Sequence, residues 1–102
     1  MNEIKIVNLL GLAQRAGELQ SGDFIVEKAV KKRTVKLLVM ATDCAANNEK
    51  KYEELTKKYN IPMRKILTKE QLGHAIGKEL RVVLAINDDG FAKALLKEIG
   101  EI

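Results

Sequence analysis

Between Lys28 and Lys36 the chain carries five cationic side chains (Lys28, Lys31, Lys32, Arg33 and Lys36) and no acid. Elsewhere the signs mix, as in Lys50, Lys51, Glu53, Glu54, Lys57 and Lys58. Clustered amines and a guanidinium neutralise phosphates and hold a polyanion. A charge run is usually just a solvated helix face; the absence of an intervening acid brings the polyanion reading level with it. Just before the cluster stand Gly22, Asp23 and Phe24. On a helical wheel of about 100° per residue, Phe24 lies between the directions of Lys28 and Lys31. A ring among lysines at a helix start stacks a base while the amines and free backbone N–H groups hold phosphate. For Phe24 taken alone, however, the favoured reading is that it folds back onto the first helix, as single aromatics near caps do, and that the lysines are a solvated face. A second basic pair, Lys78 and Arg81, precedes the last apolar strand. If the two apolar strands are neighbours, the two basic turns are expected to meet as one positive rim.

Other chemistries find little support. His74 is the only histidine and Cys44 the only cysteine, so neither a disulfide nor a structural zinc site can be assembled. His74 points away from Leu72 and Ile76 on its helix, towards solvent, and has no partner for general base work. Cys44 reads as a small buried or half-buried filler. Asp43, Asp88 and Asp89 follow the apolar strands, where a metal-dependent phosphoryl-transfer site is conceivable. All three also stand at helix starts, where aspartate caps. No glycine-rich phosphate loop of the dinucleotide or P-loop kind is present. No catalytic residue, metal or cofactor is expected.

These side chains need elements to position them. Ile4 to Ala16 reads as a helix with a wide apolar face, closed by Gly17. Leu19 to Ser21 is a short strand. Ser21 or Asp23 caps the second helix, whose core stripe is Ile25, Val26, Ala29 and Val30. Leu37 to Ala41 is an all-apolar strand, of the kind covered on both faces. A third helix spans about Asn47 to Tyr59, with Glu53–Lys57 and Glu54–Lys58 as i, i+4 pairs. Pro62 to Leu67 is a strand near an edge. Thr68 to Gln71 forms a capping box for a short fourth helix that Gly77 closes. Val82 to Ile86 is the second apolar strand. Asn87, Asp88 and Asp89 cap a last helix ending at Gly100. This alternation predicts a three-layer α/β/α sandwich with a small mixed, mostly parallel four-stranded sheet.

The 102 residues fit one domain over positions 1–102, with 46% apolar residues and a net charge of +4. No apolar run is long enough to span a bilayer, and the start lacks the pattern of a signal peptide. A cytoplasmic monomer is expected.

Several pieces in this order and spacing resemble the L7Ae/L30e superfamily of ribosomal proteins, closest to its small bacterial YlxQ-like branch. They are Leu10-Gly11-Leu12-Ala13-Gln14-Arg15-Ala16-Gly17-Glu18-Leu19, Ser21-Gly22, Lys28-Ala29-Val30 and Val35 to Ala41 with Asp43. Later come Ile61-Pro62, Leu72 to Lys78, and Val82 to Ile86 with Asp88, Gly90, Phe91 and Ala92. The resemblance implies an α/β/α sandwich and binding of RNA, most often kink-turns, by a non-enzymatic, ribosome-associated protein. It places the contact at the start of the second helix, where the family carries Gly-x-Asn-Glu-x-x-Lys. Here Gly22 and Lys28 match, while Phe24 and Ile25 replace the Asn-Glu pair. Asparagine reads a base edge; phenylalanine stacks. The family's small apolar loop before the last strand is replaced by the charged turn Gly77 to Arg81, which suits phosphate contact. The expected RNA-binding set is Gly22, Asp23, Phe24, Lys28, Lys31, Lys32, Arg33, Lys36, Lys78 and Arg81. The alternative is a protein-interaction module of the translation or RNA-processing machinery without RNA contact.

Overall fold

The two all-apolar runs become the two central strands of a four-stranded sheet, because each is buried on both sides. In the computed structural model, which describes residues 1–100, the elements are α1 (Glu3–Arg15), β1 (Leu19–Ser21), α2 (Asp23–Lys31), β2 (Leu37–Met40), α3 (Ala46–Lys58), β3 (Met63–Lys65), α4 (Lys69–Ala75), β4 (Val83–Ile86) and α5 (Asp89–Ile99). Glu101 and Ile102, the last positions of the expected domain, lie outside the described residues.

Side-chain alternation along the central strands splits the core in two. Leu37 and Val39 join Leu84 and Ile86 under α1, α4 and α5. Leu38 and Met40 join Val83 and Ala85 under α2 and α3, with Val26, Val30 and Tyr52. The three-layer sandwich is therefore as expected.

The direction of the strands corrects one expectation. The order is β1-β4-β2-β3. Only β2 and β3 pair in parallel; β1–β4 and β2–β4 are antiparallel. The sheet is mixed but mostly antiparallel. The first three strands do point one way, as helix–strand alternation implies. The fourth is reversed and inserts between β1 and β2, so two of the three contacts change sign. Alternation of elements fixes which strands have helical crossovers, not where a final strand inserts.

Local signals mostly hold. Thr68 and Gln71 form the capping box, and Asp88 caps α5 by accepting from the Phe91 N–H. Helix α2 differs. Its N-cap is Gly22, with φ 99°, and no side chain caps it. Neither Ser21 nor Asp23 does so: Gly22 takes the cap position, with Ser21 one residue before it and Asp23 already in the first turn. A backbone with φ near 100° is open to glycine and strained for any other residue. Ile25 also departs from the predicted stripe: Val26, Ala29 and Val30 are buried, whereas Ile25 is 51% exposed. The stripe centres on Val26 and Val30, and Ile25 falls at its edge, in the direction of Lys32.

The wide apolar face of α1 is likewise only partly covered. Ile6, Leu10 and Ala13 are buried, while Ile4 and Leu12 remain exposed.

Candidate nucleic-acid interface

Helix α2 lies across β1 and β4 on one face of the sheet. Antiparallel pairing sets what stands at each of its ends. Ser21 pairs with Leu84, so the start of α2 sits beside the turn that leads into β4. Leu37 pairs with Ile86, so the end of α2 and the turn before β2 sit at the opposite edge. The expected single positive rim is therefore two separate sites. Lys78 and Arg81 lie at one end of the sheet, and Arg33 and Lys36 at the other. Neighbouring strands bring the two turns together only when parallel; these two strands are antiparallel.

The first end is tightly built. The Arg81 Nε donates to the Ser21 Oγ at 3.2 Å, and its Nη1 to the Leu80 carbonyl at 2.7 Å. Ser21, Gly22, Asp23, Leu80 and Arg81 line a cleft of about 300 Å³ with Asn48 and Tyr52. Gly73 sets the shape of the turn. A Cβ there would stand 1.7 Å from the Glu79 carbonyl oxygen, so only glycine allows the turn to close over α4. The Lys78 N–H donates to the Gly73 carbonyl at 2.8 Å, and the Arg81 N–H to the Lys69 carbonyl at 3.0 Å. Lys78 and Leu80 are left exposed.

Asp23 is held from α3. The buried Tyr52 hydroxyl donates to the Asp23 carboxylate and lies 2.9 Å from its carbonyl oxygen. The Lys51 ammonium lies 3.1 Å from the same carboxylate and also pairs with Glu27. The hydroxyl of Tyr52, followed by the ammonium of Lys51, holds the Asp23 carboxyl below its usual range. Burial, then the bond to Asp23, pushes the Tyr52 hydroxyl up. Glu27 is lowered by Lys51 and then Lys31, and Lys51 is raised, first by Glu27. Asp23 thus straps α2 to α3, and its carboxylate is already engaged.

The exposed face of α2 carries the remaining residues. Phe24 is 80% exposed and does not fold back onto α1. Phe24, Ile25, Lys28 and Lys32 border a groove of about 430 Å³ with Gln20 and Asn87. The Asn87 Nδ2 donates to the Gln20 Oε1 at 2.9 Å, while its buried Oδ1 has no partner. Among the described residues Lys28 and Lys32 form no ion pair, whereas Lys31 lies 2.9 Å from Glu27. Sequence reasoning missed Lys51 and Tyr52, which lie at ordinary helical spacing within a mixed-charge stretch. It read Asn87 as part of a cap, although its side chain faces Gln20.

Among the described residues no group of histidine, cysteine or acidic side chains has the arrangement of a metal site. Asp88 caps α5, and the Asp43 carboxylate accepts from the Lys69 N–H at 2.9 Å.

Comparison with known proteins gives a consistent result. The sequence pattern of the "Ribosomal protein L7Ae/L30e/S12e/Gadd45 family" matches residues 4–96. A Bacillus subtilis protein described as "RNA-binding protein YlxQ" is 40% identical over 88 residues, covering 86% of this chain and 88% of that one. Its Enterococcus faecium namesake is 34% identical over 92 residues, covering 90% and 88%. A solved Bacillus halodurans protein of unknown function superimposes with a TM-score of 0.91 at 38% identity, over 95% and 98% of the two chains. The Giardia lamblia 15.5kD RNA binding protein shares the fold, with a TM-score of 0.79 at 20% identity, over 95% and 83%. Sequence pattern, relatives and fold agree: the chain belongs to the ribosomal protein L7Ae/L30e/S12e/Gadd45 family.

Proposed function

We propose that this protein is a non-enzymatic, ribosome-associated RNA-binding protein that holds bent, kink-turn-like RNA on the N-terminal end and exposed face of α2. The observation that carries the reading is the pairing of Phe24, 80% exposed, with Lys28 and Lys32, which form no ion pair among the described residues. An exposed ring beside cations can serve as a stacking platform for a base. Lysines beside it neutralise phosphate. Gly22 leaves the first N–H groups of α2 without a side-chain cap, and such groups point at an anion. Arg81 and Lys78 stand beside that helix start and extend the contact to the backbone. Phe24 and Ile25 in place of a polar pair make the base contact one of stacking and apolar packing rather than base-edge reading. The names of the Bacillus subtilis and Enterococcus faecium relatives support RNA as the partner.

The test is binding of a kink-turn RNA by the full chain and by the double variant Lys28→Glu, Lys32→Glu. The variant is expected to lose about 100-fold in affinity at low salt, with a smaller loss at high salt. Unchanged affinity contradicts the proposed face.

A second reading, a protein-docking module, is favoured by the opposite layer. There Leu9, Leu12 and Ala94 line a groove between α1 and α5, and Ile4 and Leu12 are 76% and 47% exposed. Absence of RNA binding together with capture of a protein by this face would favour it.

A further inference from the structure

The second basic site, at the far end of α2, contains residues outside the predicted set. Helix α3 ends there as well: the Arg33 guanidinium lies 5.2 Å from the centre of the Tyr59 ring, and the Lys58 ammonium 5.6 Å. Lys57 precedes Lys58 in the last turn of α3. Lys36 lies in the turn before β2, and its N–H donates to the Ile86 carbonyl at 2.7 Å. Arg33, Lys36, Lys57 and Lys58 are all exposed. None of them forms an ion pair among the described residues. The expected pairs Glu53–Lys57 and Glu54–Lys58 are thus absent; Lys58 turns to Tyr59 instead.

Arg33 occupies a costly conformation to reach this position. Its φ is 64°, in the left-handed region. The Thr34 N–H reaches back to the Ala29 carbonyl and the Arg33 N–H to Val30. That is the helix-ending motif in which glycine is the favoured residue. Cations in a last helical turn offset the negative end of the helix dipole, which suits Lys57 and Lys58. Arg33 directly follows the C-cap of α2 and suits it in the same way; Lys36, four residues past that cap, is not accounted for by the dipole. The Tyr59 ring is occupied by cations and not open to a base, so the arrangement suits phosphate backbone. A guanidinium resting on a ring keeps its N–H edge free for phosphate oxygens.

We infer that Arg33, Lys36, Lys57 and Lys58 form a second phosphate-binding site, which grips the backbone of a duplex stem flanking the RNA element held at the start of α2. The inference rests on the proposed RNA reading. Helix α2 is nine residues long, about 14 Å at the usual rise. The two sites are therefore separated along one helix, and only RNA extending past the first reaches the second.

The experiment compares two kink-turn RNAs, one with a flanking stem of about 4 base pairs and one of about 12, slightly more than a helical turn. Fluorescence anisotropy gives Kd across a salt series for the natural chain and for the double variant Lys57→Gln, Lys58→Gln. On the long-stem RNA the variant should lose about tenfold in affinity at low salt. Its slope of log K against log salt should fall by roughly 1 to 2, close to one per phosphate released. On the short-stem RNA its affinity should match that of the natural chain. No loss on the long stem, or equal losses on both, overturns the second site while leaving the first intact. If the natural chain binds neither RNA, the RNA reading falls and this inference falls with it. Thermal melts of both chains confirm that the exposed substitutions leave the fold unchanged.

Discussion

The two ends of α2 carry the same sign of charge by different means. At its start, Arg81 is bonded to Ser21, Asp23 is strapped by Tyr52, and the neighbouring turn closes only over Gly73. At its end, Arg33 and Lys58 rest on Tyr59, and Lys36 extends from a turn. The first end holds its groups in one arrangement, which suits recognition of a shape. The second presents exposed cations on long stems without hydrogen-bonded partners among the described residues, which suits a repeating phosphate backbone. Charge count alone does not distinguish them; the hydrogen bonds behind the charges do.

The largest expected effect breaks the built end directly. Gly73→Ala puts a Cβ against the backbone of Glu79 and should cost more than about 3 kcal/mol, in the range of severe strain and overpacking. Chemical denaturation measures it; a loss under about 1 kcal/mol would show that the turn relaxes freely. Phe24→Ala comes next. It should weaken RNA binding by about 1–3 kcal/mol, as loss of one stacked base does, and leave the melting temperature in place. Equal affinity would remove the stacking role.

Tyr52→Phe sharpens the comparison at smaller scale. It deletes the hydroxyl that joins α3 to Asp23 and should cost about 1–2 kcal/mol, as loss of a partly buried hydrogen bond to a charged group does. The pH dependence follows from the same bond. The native Tyr52 hydroxyl is raised from its ordinary value of 10.0, so its contribution is complete below about pH 10 and is lost as pH rises further. Asp23 is lowered from 3.8, so its contribution is present above about pH 4 and is lost as pH falls through the native value. Ultraviolet titration of the natural chain, read against that of Tyr52→Phe, should show the Tyr52 phenol ionising only with unfolding. Ionisation of Tyr52 in its ordinary range with the fold intact would contradict the strap.

The smallest effect concerns the other end. Arg33→Gly relieves the left-handed backbone and should change stability by about 1 kcal/mol or less in the favourable direction. It also removes one cation from the second site. A destabilised variant would mean that the contact of Arg33 with Tyr59 outweighs the backbone strain.

The elements were legible in the sequence because each signal was local. Apolar runs at 37–41 and 82–86, the Thr68–Gln71 capping box and the glycines after helices all act within a few residues. Strand direction was not legible: nothing in Val82 to Ile86 says that the strand inserts reversed between β1 and β2. That one long-range fact splits the predicted rim in two. The wheel located Phe24 and Lys28 on the outer face correctly but misplaced Ile25, because a wheel does not say how wide an arc the sheet covers. Tyr52 stands at plain helical spacing with Leu55 and Tyr59; its hydroxyl bond to Asp23 needs the packing of α3 against α2. Tyr59 in contact with Arg33 joins positions 26 apart, beyond the reach of any pattern.

The central claim is that the exposed face of α2 binds bent RNA. Fluorescence anisotropy of the full chain with a kink-turn RNA and with a straight duplex of equal length, at low and moderate salt, tests it most directly. RNA recognition at α2 predicts tighter binding to the kink-turn at both salt concentrations, with affinity falling as salt rises. Equal, steeply salt-dependent binding to both would reduce the protein to a backbone binder without a preferred shape, and no binding to either would contradict the claim.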